Sequence, residues 1–163
     1  MKILNHNQID HKVQRLAFQI LEENHKVKQL YFLGINKSGY SFAEMLMQRY
    51  DAVSGKESIL GRVSINAAEP TSSEVSLDLT NSLNGKNIII VDDVANTGRT
   101  LFYAIKPILE YLPKKVEAAV LVDRKHKRFP IKVDYVGLSL ATTLKENINV
   151  SISKTGKLSA YLK

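Results

Sequence analysis

The run Asp92-Asp93-Val94-Ala95-Asn96-Thr97-Gly98-Arg99-Thr100 gathers two carboxylates, an amide, two hydroxyls, a glycine and a cation into one short stretch. It follows the most apolar segment of the chain, Asn87-Ile88-Ile89-Ile90-Val91. A buried strand there would deliver Asp92 and Asp93 to a sheet edge, after which the chain would turn through Thr97-Gly98 into a helix. A loop entering a helix presents unsatisfied backbone N–H groups and the positive end of the helix dipole, which together favour a phosphate. Thr97 and Thr100 can add hydroxyl donors, and Gly98 permits close backbone approach or a positive φ.

Carboxylates beside a phosphate cradle make sense when the ligand is a sugar phosphate, whose vicinal hydroxyls need acceptors. Asp92 and Asp93 can equally bind, directly or through water, a Mg²⁺ shared with a pyrophosphate, since Mg²⁺ prefers oxygen ligands and keeps several waters. Taken singly, an acidic pair often caps a turn and Thr-Gly-Arg-Thr often opens a helix; the ordered combination is far more specific. No G-x-x-x-x-G-K-[ST] string occurs, and no early strand ends in acids as a receiver-type phosphorylation site requires.

The elements that must position this segment are legible as periodicity. From Ile9, the residues Val13, Leu16, Ala17, Ile20 and Leu21 recur at helical spacing. Residues 28–34, KQLYFLG, read as a buried strand ending in glycine, and after Gly39 the run FAEMLMQRY reads as a helix with Phe42, Met45, Leu46 and Tyr50 on one face. Two alternating segments, ILGRVSI and EVSLDL, flank the polar loop NAAEPTSSE, which predicts a protruding hairpin or flap. A helix carrying Leu101, Ala104, Ile105, Ile108 and Leu109 should follow the Asp92–Thr100 run, then strands over 116–123 and 133–140, then a terminal hairpin turning at Lys154-Thr155-Gly156-Lys157. Strands alternating with helices predict an α/β fold: a three-layer, doubly wound, mainly parallel sheet with ligands at the strand C-terminal ends.

The chain has 163 residues, a length suited to a single domain over 1–163. With no cysteine it has no disulfide framework, thiolate metal site or cysteine nucleophile. Neither a signal-like N-terminus nor a run of about 18 apolar residues is present, so a cytoplasmic protein without membrane contact is expected. The formal charge of +7 raises the local concentration of anions such as phosphates or nucleic acid without choosing between them.

The hydrophobic strand, acidic pair and Thr-Gly-x-Thr loop resemble the 5-phosphoribosyl 1-pyrophosphate (PRPP) motif of type I phosphoribosyltransferases. The likeness runs along most of the chain. Gly34-Ile35-Asn36-Lys37-Ser38-Gly39 stands where that family has its pyrophosphate loop. Leu121-Val122-Asp123-Arg124-Lys125-His126-Lys127-Arg128-Phe129-Pro130, with Asp134-Tyr135-Val136-Gly137, is similar to the PyrR family of pyrimidine-operon attenuators and uracil phosphoribosyltransferases. The resemblance implies a type I fold with a short flap hairpin and a small hood, a Mg²⁺ cofactor, and a homodimer or higher homo-oligomer. It also implies PRPP with a nucleobase or nucleotide as ligands, and RNA as a further partner. It assigns the ribose hydroxyls to Asp92 and Asp93, the 5-phosphate to the stretch from Val94 to Thr100, and the pyrophosphate to Asn36, Lys37, Ser38 and Gly39. Arg124 would sit near pyrophosphate or base, and Val136 and Gly137 would offer backbone groups to a pyrimidine edge.

The flap departs from the family's pattern. Residues 64–74 form a short stretch with Glu69 and Glu74 but no Lys, Arg or Tyr, where active members carry a long loop often bearing basic or aromatic residues. Arg62, on the strand entering the flap, could substitute. The polar, proline-bearing base pocket of the family is here Leu138-Ser139-Leu140-Ala141. Two functions of different class therefore fit: a phosphoribosyltransferase making UMP from uracil, and a PRPP- or nucleotide-sensing RNA-binding regulator using Lys12, Arg15, Lys26, Lys28 and the 124–128 cluster. A protein with the fold but no ligand is the third reading.

Overall fold

The computed structural model describes residues 1–141, 147–152 and 157–162. Its elements in chain order are β1 (Lys2–Leu4), α1 (His6–Glu23), β2 (Leu30–Ile35), α2 (Asn36–Ser54), β3 (Ile59–Ser64), β4 (Ser76–Asp78), β5 (Asn87–Ala95), α3 (Arg99–Ala104), a 3-10 turn (Ile108–Glu110), β6 (Lys115–Arg124), β7 (Tyr135–Leu140), β8 (Ile148–Ile152) and β9 (Leu158–Leu162). The turn expected at Lys154-Thr155-Gly156 lies outside the described residues, while the strands on either side of it pair antiparallel.

Six strands form the central sheet in the order β4-β3-β2-β5-β6-β7, all parallel except β4, which returns antiparallel along β3. Successive connections run outward from β2 in one direction and from β5 in the other. The β2/β5 junction is therefore the topological switch point, where the carboxyl ends of adjacent strands open a crevice. A second antiparallel sheet, β1-β9-β8, forms the hood.

Each face of the central sheet carries its own core. Ile9, Val13, Leu16, Ala17 and Ile20 of α1 pack with Phe42, Leu46 and Tyr50 of α2 against Ile89, Val91 and Leu121. On the opposite face Leu101, Ala104 and Ile108 cover Ile88, Ile90 and Val120. Burying each Val, Leu, Ile or Phe among them is worth about 1.5–3 kcal/mol, and strands covered on both faces read as unbroken apolar runs. The start of α1 is set by a reciprocal capping box, in which Asn5 Oδ1 accepts the Gln8 N–H and Gln8 Oε1 accepts the Asn5 N–H, both at 2.9 Å.

Four boundaries differ from the sequence expectation. Strand β2 starts at Leu30 and continues through Ile35, and α2 begins at Asn36, so the stretch standing where the family has its pyrophosphate loop is the end of a strand and the first turn of a helix. Strand β5 extends through Asp92 and Asp93 to Ala95, since its pairing with β6 persists past the apolar run. The helix after the acidic segment is short, and Leu109, expected on its buried face, is 75% exposed. Pro107 cannot supply a helical N–H and disfavours helical geometry at Lys106, so the chain passes into the 3-10 turn.

Candidate functional site

Asp92 and Asp93 leave the sheet at the switch point. Asp92 is almost fully buried, and its Oδ1 accepts the Asp93 N–H at 2.9 Å; Asp93 Oδ1 accepts the Val94 N–H at the same distance. Burial first, and the neighbouring Asp93 charge second, push the Asp92 carboxyl well above the usual aspartate range. Such a group favours a ligand that brings it a donor or a cation. Helix α2 approaches from β2 and meets this strand at Gly39, where a Cβ would lie 2.9 Å from the Val91 carbonyl and 3.1 Å from Asp92 Oδ1. Glycine is what lets the start of α2 come this close.

The loop from Asn96 to Gly98 is braced from below by the segment after β6. The Thr97 carbonyl accepts the N–H groups of Arg128 at 2.9 Å and Phe129 at 3.3 Å. The Lys127 ammonium donates to the carbonyls of Asn96 at 3.2 Å and Arg124 at 2.5 Å and pairs with Asp123. Arg124, itself buried, donates to Asn96 Oδ1 at 3.2 Å. Gly98 has φ +88°, and a Cβ there would overlap Cγ2 of Ile131. Both the backbone conformation and the packing require glycine.

Val94 to Thr100, with Asp92 and the flap residues Ala67 and Ala68, enclose a cavity of about 490 Å³. An adjoining cavity of about 310 Å³ shares Ala67, Asp92, Val94, Asn96 and Thr100 as walls and adds Asp93, Asn36, Ser38 and the hood residues Ile148, Asn149 and Val150. The fold thus brings the acidic pair, the 94–100 loop and two of the four pyrophosphate-loop candidates around one space. Lys37 is exposed and lines neither cavity, and Gly39 acts through close packing. Arg99 lines the first cavity but sends its guanidinium to the flap carbonyls of Ala67 at 2.8 Å and Ala68 at 3.2 Å. The carbonyls of Val136 and Gly137 accept from Arg15 of α1 at 3.0 and 2.6 Å, so the site residues anticipated on β7 are engaged with that helix. Arg62 lines neither cavity, and its Nε is buried without a hydrogen-bond partner.

Several contributors had no sequence signal of their own. Asn149 and the other hood residues sit in an ordinary alternating strand, and Ala67 and Ala68 in a polar loop. Lys127 was visible only as part of a basic cluster, although its spacing from Asp123 suits a local ion pair.

As an oxygen-donor set, Asp92 and Asp93 fit Mg²⁺ held largely by ligand and water. Among the described residues no group of three or more His, Cys, Asp or Glu could form a protein cage for a metal. Nor is any helix among them long and apolar enough to cross a membrane.

Comparison with known proteins bears on the family and the fold. The model of the phosphoribosyl transferase domain matches residues 2–153. A protein named Bifunctional protein PyrR from Caldicellulosiruptor bescii is 32% identical, over 94% of this chain and 88% of its own length. The Pyrimidine operon regulatory protein of Lactococcus lactis subsp. lactis is 34% identical, over 87% of this chain and 84% of its own. A hypoxanthine-guanine phosphoribosyltransferase from Bacillus anthracis superposes with a TM-score of 0.74 at 21% identity, covering 85% of this chain and 81% of that one. The last likeness speaks to the fold alone.

Proposed function

The chain belongs to the phosphoribosyl transferase domain family, and from that membership we propose that it transfers the 5-phosphoribosyl group of PRPP to a nucleobase, uracil foremost, giving UMP and pyrophosphate. It would act as a single domain over residues 1–163, in the cytoplasm, as a homodimer or higher homo-oligomer. A base nitrogen forms a bond to the anomeric carbon as the bond from that carbon to the pyrophosphate oxygen breaks, and the nitrogen's proton is released. The observation that carries this reading is the convergence of Asp92, Asp93, the 94–100 loop, Asn36 and Ser38 on two adjoining cavities at the β2/β5 junction.

In this reading Asp92 and Asp93 accept hydrogen bonds from the ribose 2- and 3-hydroxyls and fix the ring. Backbone N–H groups and the Thr97 and Thr100 hydroxyls hold the 5-phosphate, and the start of α2 faces the pyrophosphate. Holding both reactants converts a bimolecular step into an effectively unimolecular one, which can remove about 7–11 kcal/mol of the barrier. Mg²⁺, bound with the pyrophosphate and held directly or through water by the acidic pair, would neutralise the departing charge.

The test is Mg²⁺-dependent pyrophosphate release from PRPP with each common nucleobase, run beside thermal-shift titrations with PRPP and nucleoside monophosphates. Turnover with one base, abolished by Asp93→Asn, establishes the transferase and names its substrate. No stabilisation by any of these ligands rejects the reading.

A second reading is a PRPP- or nucleotide-sensing regulator that binds RNA. Two observations favour it: the flap carries no cation to stabilise departing pyrophosphate, and Arg99, beside the cavity, is engaged with the flap backbone. A groove lined by His11, Lys12 and Arg15 offers a surface for a phosphate backbone. Stabilisation by PRPP or UMP without turnover, together with RNA binding that weakens steeply with salt, would select it.

A further inference from the structure

The flap is tied down by side chains from outside it. Asn36 Nδ2 donates to the Ile65 carbonyl, and Asn36 Oδ1 accepts the Ile65 N–H, both at 2.9 Å. This two-point pairing extends the hydrogen bonding of β3 beyond its last residue. Asn36 does so at φ +54°, a left-handed conformation that asparagine tolerates better than most residues with a side chain. Across the cavity mouth, Arg99 Nη2 donates to the carbonyls of Ala67 and Ala68.

Between these anchors the loop closes on itself. Asn66 accepts the Glu69 N–H and donates to the Ser72 hydroxyl, while the Glu69 carbonyl accepts both the N–H and the hydroxyl of Ser72. These bonds fold the loop on Asn66, Glu69 and Ser72, and Ala67 and Ala68 already stand as walls of the larger cavity.

We propose that Asn36 and Arg99 are positioning residues that hold the flap as a permanent roof over the 5-phosphate cradle, so that ligand enters a finished site and draws no lid shut. The proposal builds on the reading of residues 94–100 as a phosphate site, and it assigns Arg99 to the roof. Were Arg99 a phosphate ligand instead, charge-assisted bonds would draw its guanidinium away from two neutral carbonyls, and the flap would loosen on binding.

Hydrogen exchange on the full chain tests this, with UMP and with PRPP plus Mg²⁺ as probes. The expected result is slow exchange at the hydrogen-bonded flap amides of Ile65, Glu69 and Ser72 without ligand, changed less than about twofold by either probe. Arg99→Gln and Asn36→Asp should each speed exchange there roughly tenfold, about what losing one charged or buried hydrogen bond implies, and leave Ile88 to Val91 unchanged. Arg99→Lys should restore only part of the protection, since an ammonium lacks the planar fork. Fast flap exchange that slows on ligand binding would show a closing lid and overturn the proposal; slow exchange that quickens would show Arg99 moving to phosphate and overturn it equally. If either variant fails to fold, the wild-type comparison still decides. If neither probe protects residues 94–100, the phosphate-site reading fails separately, and exchange without ligand still shows whether the roof is fixed.

Discussion

Asp92 accepts the Asp93 N–H at 2.9 Å through a carboxyl whose pKa burial, and then the Asp93 charge, drive well above the ordinary aspartate value. An acid with a raised folded pKa contributes stability fully present below its unfolded pKa and lost as pH rises through the folded one. As the pH rises above the ordinary aspartate value, Asp92 therefore weakens the unliganded fold. Asp92→Asn keeps the shape and the acceptor for the Asp93 N–H, so it should raise the unfolding temperature in metal-free buffer at pH 7 to 8. The gain should shrink toward zero as the pH falls to about 4. Thermal unfolding across that range checks it, and a gain independent of pH would reject the account.

Gly98 sets the shape of the cradle. Gly98→Ala places a side chain at φ +88° and against Ile131, where Cγ2 occupies the required space. The conformation alone costs about 1–2 kcal/mol, and overpacking adds roughly 1–3 kcal/mol. Urea unfolding should show a loss of about 2 kcal/mol or more, and UMP affinity should fall. Ile131→Ala in the same background should recover the packing part only, because the backbone strain remains.

Lys127 holds the loop from underneath. Its ammonium joins Asp123, the Arg124 carbonyl and the Asn96 carbonyl, and both members of the ion pair are about four-fifths buried, at 21% and 18% exposure. Lys127→Met leaves Asp123 without that cation and frees the Asn96 carbonyl. The expected stability loss is roughly 1–3 kcal/mol, with UMP bound about tenfold more weakly as the loop spends less time in its binding shape. An unchanged dissociation constant, measured by calorimetry, would show that the loop keeps its shape unaided.

The parts that were legible in the sequence are those encoded within a few residues of one another. The apolar run before Asp92 marks a strand buried on both faces, and the acid pair with its Thr-Gly loop is contiguous, so both the sheet and the phosphate cradle could be read directly. The start of α2 could not. Its N-cap is Ile35, with no side-chain cap, and the asparagine beside it is turned to Ile65. The end of α3 is hidden because the apolar spacing of Ile105, Ile108 and Leu109 carries on through Pro107 after the helix has stopped. The brace from Lys127 to Asn96, the flap tie from Arg99 to Ala67 and the bond from Arg15 to Val136 join residues 31, 32 and 121 positions apart, and no local pattern marks them.

The groove beside α1 separates charge from structure in a way that mutation can exploit. Arg15 spends its guanidinium on the Val136 and Gly137 carbonyls, whereas burial, and then the nearby Arg15 charge, lower the pKa of Lys12. A lysine with a lowered folded pKa weakens the fold while it is charged. Lys12→Met should therefore leave stability unchanged or slightly raised at pH 7, and Arg15→Met should lower it by roughly 1–3 kcal/mol as two carbonyls lose a charged donor. If RNA lies along this groove, Lys12→Met should also reduce the slope of log affinity against log salt by about one, with a similar loss for every RNA sequence. Filter binding of RNA across a salt series, read beside urea unfolding of the same two variants, checks both halves. Equal destabilisation by the two substitutions would mean that Lys12 supports the fold and that the groove is not a surface held ready for phosphate.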